Sequence, residues 1–215
     1  MKCRCMLDNV QVQPNTDSFD VFSLLIKERI LFLSQEIDGE IATSIAAKLF
    51  LLDRQSQDEE ITLYINSSGG TIENGLLTIY DTLQFIRAPV KTVCIGEAYS
   101  SAAVILAAGT RGRRYAYPSA RILIHSVQVD DMSGNQKEIE DESRRIKELN
   151  QKLMMIIARH TGQDLNKVRR DCKKDKYFSP DQAIKYGLID HVIQPFKEIP
   201  DIIIGKKMGS PNNEA

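Results

Sequence analysis

Histidine is scarce in this 215-residue chain: His125, His160 and His191 are the whole supply. Any chemistry that needs an imidazole therefore has few places to sit. Cysteine is sparse too, with Cys3, Cys5, Cys94 and Cys172, and only the first pair are neighbours. No second Cys or His pair stands at zinc-ligand spacing, which favours reduced thiols in a cytosolic-type compartment; a Cys3/Cys5 metal clip is the weaker alternative. An excess of one charge is missing as well. The 28 Lys+Arg against 29 Asp+Glu leave a net −1, so no general pull towards nucleic acid or anionic membrane follows. No apolar run approaches the roughly 20 residues of a membrane span. The opening Met1-Lys2-Cys3-Arg4-Cys5-Met6 turns polar too soon for a signal-peptide core. The expectation is a cytoplasmic protein without membrane or nucleic-acid partners. With 42% apolar and 27% charged residues, the composition fits one ordered domain with a sizeable core.

What is present alternates between strand and helix patterns. Residues 30–33 and 61–65 have strand composition, and Ile41, Ile45, Leu49 and Leu52 recur at helical spacing between them. A second helix turns Leu76, Leu77, Tyr80, Leu83 and Ile86 inward, Pro89 closes it, and residues 90–95 form a buried-type strand. A third helix, from about Ser100, is apolar all round and so is buried, with Gly109 as its C′ residue. Tyr115-Ala116-Tyr117 and Ile122-Leu123-Ile124 read as strands around a turn at Pro118-Ser119. Such alternation predicts an α/β fold of repeated right-handed βαβ units on a largely parallel sheet. Residues 133–160 read as one long helix with a single apolar stripe and i,i+4 pairs Glu140/Arg144, Asp141/Arg145 and Glu148/Lys152. At 1.5 Å per residue it would run about 40 Å, longer than a compact domain of this size needs, which suggests projection into another subunit. The segment before it, 130–136, contains Gly134 and reads as a hinge or lip. The last helix is capped by Ser179, with Pro180 at N1, Gln182 at N3 and Gly187 as its stop. Residues 1–17 read as a flexible or partner-ordered arm, 18–195 as the folded domain, and 196–215 as a fraying tail.

Three places carry candidate chemistry. Ser100 falls at a strand-to-helix elbow, where first-turn N–H groups favour a developing oxyanion. The residues there are not G-x-S-x-G, Ser is also a favoured N-cap, and position alone does not separate Ser100 from Ser101. Ser67-Ser68-Gly69-Gly70 is a second anion-friendly turn, without a Walker lysine or a G-x-G-x-x-G pattern. His125 ends a strand at the edge where α/β sheets gather ligands, and an imidazole there can take a proton from a serine. A carboxylate is needed to orient it. Asp171, Asp175 and Asp190 are all available, and the pattern does not choose among them.

Several ordered stretches carry a resemblance: Leu63-Tyr64-Ile65-Asn66-Ser67-Ser68-Gly69-Gly70, Ile79-Tyr80-Asp81-Thr82, Gly96 through Gly109, Ile124-His125, His160-Thr161-Gly162-Gln163, and Phe178-Ser179 through Asp190. In these the chain resembles the ClpP family of self-compartmentalised serine peptidases, over about residues 19–193. The resemblance implies a ClpP/crotonase-like fold in which the long helix is a protruding handle. It implies Ser100 as nucleophile, His125 as base and Asp175 as orienting carboxylate, with Gly70 and Ser101 N–H as oxyanion donors. A strand after Gly69-Gly70, with Gly69, Thr71 and Ile72, and the segment after His125, with Ser126 and Val127, would hold an extended substrate by strand addition. It further implies two stacked seven-membered rings, homomeric or mixed with another ClpP-like subunit, fed unfolded polypeptide by a Clp AAA+ ATPase. ATP would act on that partner, with no cofactor or metal here, and Tyr64 would help receive the ATPase. Departures from the family pattern are Ser68 for proline, Tyr99 for a small residue, Ser101 for methionine, and Ser126-Val127 for Gln-Pro. Lys173-Lys174 replaces an acidic-Arg pair that bridges the rings. They imply an atypical isoform that needs a different ring or partner for full activity. The alternatives are a non-catalytic ring subunit and a crotonase-type acyl-CoA enzyme.

Overall fold

The computed structural model describes residues 21–129 and 132–194. The expected arm, 1–17, and tail, 196–215, lie outside them, as do Cys3 and Cys5. The chain runs α1 (Val21–Lys27), β1 (Ile30–Leu33), α2 (Gly39–Gln55) and β2 (Ile61–Ser67). A π-helical turn, Ile72–Leu76, then leads into α3 (Leu77–Phe85), β3 (Val90–Tyr99) and α4 (Ser101–Ala107). There follow β4 (Arg114–Ala116), β5 (Arg121–Ile124), α5 (Gln136–Thr161), α6 (Leu165–Asp171), β6 (Lys176–Phe178), α7 (Pro180–Tyr186) and β7 (His191–Val192).

The sheet is parallel in the order β1-β2-β3-β4-β7, as alternating strands and helices require. The ten-residue β3 serves two neighbours. Thr92 to Cys94 pair with β4, whereas Glu97 to Tyr99 pair with β5, and β6 adds antiparallel to β5. The sheet thus divides around β3, and Ser100 follows directly on its far end. All seven residues of α4 are buried, the environment that a helix without a polar face demands. It packs with Leu63, Ile65, Leu76, Ile79 and Ile122 in one continuous core. Each fully buried Leu or Ile there contributes about 1.5–3 kcal/mol.

One local expectation holds for a different reason and two need correcting. Gly109 does stand at C′, one residue past the C-cap Ala108, but not in the left-handed conformation: it lacks a positive φ, and a Cβ there would collide with Thr92. Close packing against β3, not backbone conformation, calls for glycine. No strand follows Gly70, because Thr71 is extended for one residue before the π-helical turn starts at Ile72. On α5 the ion pairs form at i,i+3, Arg144 with Asp141 and Arg145 with Glu142. Arg145 is drawn away from Asp141 because it also reaches Glu73 on the π-helical turn.

Asn135 caps α5 in a capping box with Glu138. The helix has 26 residues, about 39 Å at 1.5 Å each. Its buried residues, Leu153, Met154, Ile156 and Ile157, all lie in the C-terminal part, so the N-terminal half has no core of its own. Where α5 ends, Arg114 on β4 is buried and forms a two-pronged pair with Asp190, 2.9 and 2.6 Å. Its remaining nitrogen donates to the carbonyls of Ala107, His160 and Gly187. Burial works to raise the Asp190 pKa, but the hydrogen bonds and charge of Arg114 outweigh it and hold the carboxyl below its ordinary value.

His160 shares a 3.2 Å hydrogen bond with the Tyr80 hydroxyl. Burial first, then the charges of Arg114 and Arg159, pull its pKa down to about 4. An unfolded chain takes up this proton at a pH near 6.5, so stability is lost as pH falls from there towards 4. His160→Gln should flatten the pH dependence of the melting temperature in that interval; an unchanged slope would assign the acid sensitivity to another group.

Candidate active site

Ser100 is the N-terminal flanking residue of α4, yet its hydroxyl caps nothing. An N-cap residue normally has extended backbone; Ser100 has φ 54° and ψ −122°, a strained conformation for a residue with a side chain. Such strain costs on the order of 1–3 kcal/mol and persists only where the surroundings enforce it. Here the Ser100 N–H donates to Leu123 O at 2.9 Å, and its carbonyl accepts from Ala103 and Val104. The simple capping role therefore does not apply. Ser100 Oγ makes no hydrogen bond among the described residues, and Ser100 lines a cleft of about 800 Å³.

The Gly69-Gly70 turn packs directly under this elbow. Gly69 has φ 104°, and a Cβ there would lie 2.7 Å from both Ser100 Cβ and Tyr99 O. A Cβ on Gly70 would come closer still to the Ile37 backbone. Ile37 N–H donates to Gly69 O and Thr71 N–H donates to Ile37 O, the pattern of a parallel bridge across Gly70. That pattern turns the N–H and carbonyl of Gly70 the other way, and Ser101 Oγ donates to the Gly70 carbonyl at 2.9 Å. Gly70 N–H has no acceptor among the described residues, and Ser101 N–H belongs to the orphan first turn of α4. Ser101 is thus placed to lock the elbow to the glycine turn.

His125, at the end of β5, lines the same cleft. Its Nδ1 is buried with no hydrogen-bond partner among the described residues. Asp175 Oδ1 is 4.0 Å away, on a half-exposed side chain. A buried unpaired nitrogen costs about 1–3 kcal/mol, and here the missing partner stands about 1 Å beyond bonding range. The other two carboxylates are taken. Asp190 is held by Arg114. Asp171 pairs with Lys176 at 2.7 Å and Lys167 at 3.2 Å, and accepts from the Tyr186 hydroxyl. Burial raises its pKa, but those hydrogen bonds prevail and lower it. Burial pushes the Cys94 and Cys172 thiols up to about 12, which makes both poor nucleophiles.

The expected substrate strands are differently disposed. Thr71, Ile72, Ser126 and Val127 line the cleft. Yet the N–H groups of Thr71, Ser126 and Val127 are bonded to Ile37 O, Cys172 O and Asn150 Oδ1, and that of Gly69 to Ser67 Oγ. Among the described residues the N–H of Gly70 and the backbone of Gln128 and Val129 have no hydrogen-bond partner. Tyr99 does not narrow the site. Its ring packs edge-on against Tyr177, centroids 5.9 Å apart, outside the cleft lining. Among the described residues no group of His, Cys, Asp and Glu is arranged to hold a metal, and no helix is long and apolar enough to cross a membrane.

The model of the Clp protease family matches residues 13–196. This chain belongs to that family. It is similar to the ATP-dependent Clp protease proteolytic subunits of two strains of Dehalococcoides mccartyi, BAV1 and CBDB1. Each is 44% identical over 177 residues, covering 82% of this chain and 88% of the relative. The α/β architecture with its parallel sheet fits a Clp protease, and the protein is a peptidase of this kind.

Gly69→Ala should displace the elbow. A lower melting temperature and at least about a tenfold slower reaction of Ser100 with a fluorophosphonate are expected. An unaltered reaction rate would mean that the glycine turn does not position the serine.

Proposed function

We propose that this chain is the proteolytic subunit of a Clp protease that cuts polypeptides with Ser100, His125 and Asp175. The observation that carries the proposal is the elbow: a strained serine whose hydroxyl caps nothing, facing a cleft shared with His125, beside two unengaged N–H groups. In this reading His125 takes the hydroxyl proton as Ser100 Oγ attacks the substrate carbonyl. The oxygen becomes negative between Gly70 N–H and Ser101 N–H, which are fixed before the charge develops. His125 returns the proton to the leaving amine, and water, activated by the same ring, releases the acyl group and restores Ser100. Asp175 accepts from His125 Nδ1, which requires the 4.0 Å gap to close. The substrate backbone meets Gly70 on one side and residues 128–129 on the other. No cofactor enters these steps; ATP is consumed on the partner.

Assembly follows from the same reading. The unburied N-terminal half of α5 supplies the surface for two stacked rings. Phe22 on α1 and Phe32 on β1 meet edge-on, and Tyr64 stacks on Phe32 at 5.1 Å. This aromatic row supports docking of a Clp AAA+ ATPase that delivers unfolded protein in the cytoplasm. A second reading, a subunit fully active only beside a different ClpP-like ring, is favoured by the open His125–Asp175 distance and by Lys173 and Lys174. Both lysines are exposed and without ion pairs among the described residues.

In the assembled particle, Ser100→Ala should abolish labelling by a fluorophosphonate and cut peptide hydrolysis by about 10⁴ or more. Ser101→Ala should still label, several-fold more slowly for want of its bond to Gly70. Labelling that survives Ser100→Ala would overturn the assignment.

A further inference from the structure

We propose that Asn150 is a positioning residue that ties the handle helix α5 to the segment carrying His125. The proposal rests on the reading of His125 as general base and goes beyond it.

After β5 the chain has no ladder to hold it, so the backbone following His125 depends on individual hydrogen bonds. Two are present. Ser126 N–H donates to Cys172 O at 2.8 Å, and Cys172 lies three residues before Asp175. Val127 N–H donates to Asn150 Oδ1 at 3.1 Å, and Asn150 projects from the middle of α5. The first bond fixes His125 against the carboxylate segment; the second fixes it against the helix.

Among the described residues no backbone carbonyl takes the Val127 N–H. Val127 is partly buried against the core, so its N–H would be left unpaired if Asn150 were removed, and the segment would shift to find water. Val127, unlike a proline, carries an N–H that needs an acceptor. A donor at 127 and an acceptor on α5 therefore go together in this chain. Leu149 and Leu153 flank Asn150 and line the cleft, so the bond sits in the cleft wall.

The geometry makes the link consequential. His125 Nδ1 is about 1 Å short of bonding Asp175, and misplacement of that size costs up to about a hundredfold in rate. The C-terminal part of α5 is held in the core while the rest is not, so whatever seats the free half bears on Asn150 and through it on His125.

The test uses the full-length chain in its assembled particle, with a fluorogenic peptide and a fluorophosphonate. Asn150→Leu, similar in size but without an acceptor, should lower kcat about tenfold with a much smaller change in KM. Asn150→Asp keeps an acceptor and should restore kcat to within about threefold of the parent. Val127→Pro removes the donor, so Asn150→Leu should have little further effect in that background. An unchanged kcat in Asn150→Leu, or an equal loss in Asn150→Asp, overturns the proposal, as does an undiminished Asn150→Leu effect beside Val127→Pro. If Val127→Pro does not assemble, the Leu and Asp variants decide. Failure of the parent particle to label at Ser100 overturns the catalytic reading and this proposal with it; labelling with full kcat in Asn150→Leu overturns this proposal alone.

Discussion

The close approach of a side-chain-free turn to a strained serine is the constraint on which the site depends. Gly69 and Gly70 lie between Ile37 on one side and the Ser100-Ser101 elbow on the other, with no room for a Cβ in either direction. That wedge holds Ser100 in a conformation it would not otherwise keep, and the bridge to Ile37 turns Gly70 N–H away from Ile37. The strain is sustained by the surroundings: β5 takes the Ser100 N–H, the buried α4 anchors the following residues, and Ser101 closes the seam. The orientation of the proposed nucleophile and the proposed oxyanion site are thus one packing arrangement, not two.

The other half of the chemistry is less tightly fixed. His125 sits at the right edge of the sheet, but its inner nitrogen is unpaired and Asp175 is half-exposed. The contrast has a physical source. Ser100 is set by a core helix and two sheet strands, whereas His125 and Asp175 stand one residue beyond the last pair of the β5–β6 ladder, Ile124 with Lys176, and Asp175 is half-exposed. In the proposed mechanism, a formed oxyanion site beside an open His125–Asp175 gap is the form expected if the last step of organisation comes from assembly.

Much of the fold was legible because it follows from local chemistry. Alternating strand and helix runs announced the parallel sheet, the all-apolar stretch after Ser100 announced a buried helix, and Ser179-Pro180 with Gln182 announced α7. The positions of Ser100 and His125 at one sheet edge were likewise readable from strand order. What was hidden depends on contacts distant in sequence. Nothing local separates Asp175 from Asp171 and Asp190; only the folded chain gives the latter two to lysines, Tyr186 and Arg114. Gly109 does follow the helix end, but the reason for glycine there, crowding from Thr92, is invisible in sequence. The strand expected after Gly70 became a π-helical turn, and the i,i+4 pairing of Arg145 gave way to a contact with Glu73, 72 positions away. Asn150 and Val127, 23 residues apart, carried no signal at all.

The most direct measurement is a structure of the assembled particle after reaction with a peptide electrophile that mimics the tetrahedral intermediate. The account predicts a covalent bond to Ser100 Oγ and the adduct oxygen within hydrogen-bond distance of Gly70 N–H and Ser101 N–H. It also predicts that His125 Nδ1 and Asp175 Oδ1 draw in from 4.0 Å to a direct hydrogen bond. An electrophile attached elsewhere, or His125 and Asp175 still apart in a fully reacted particle, would contradict it.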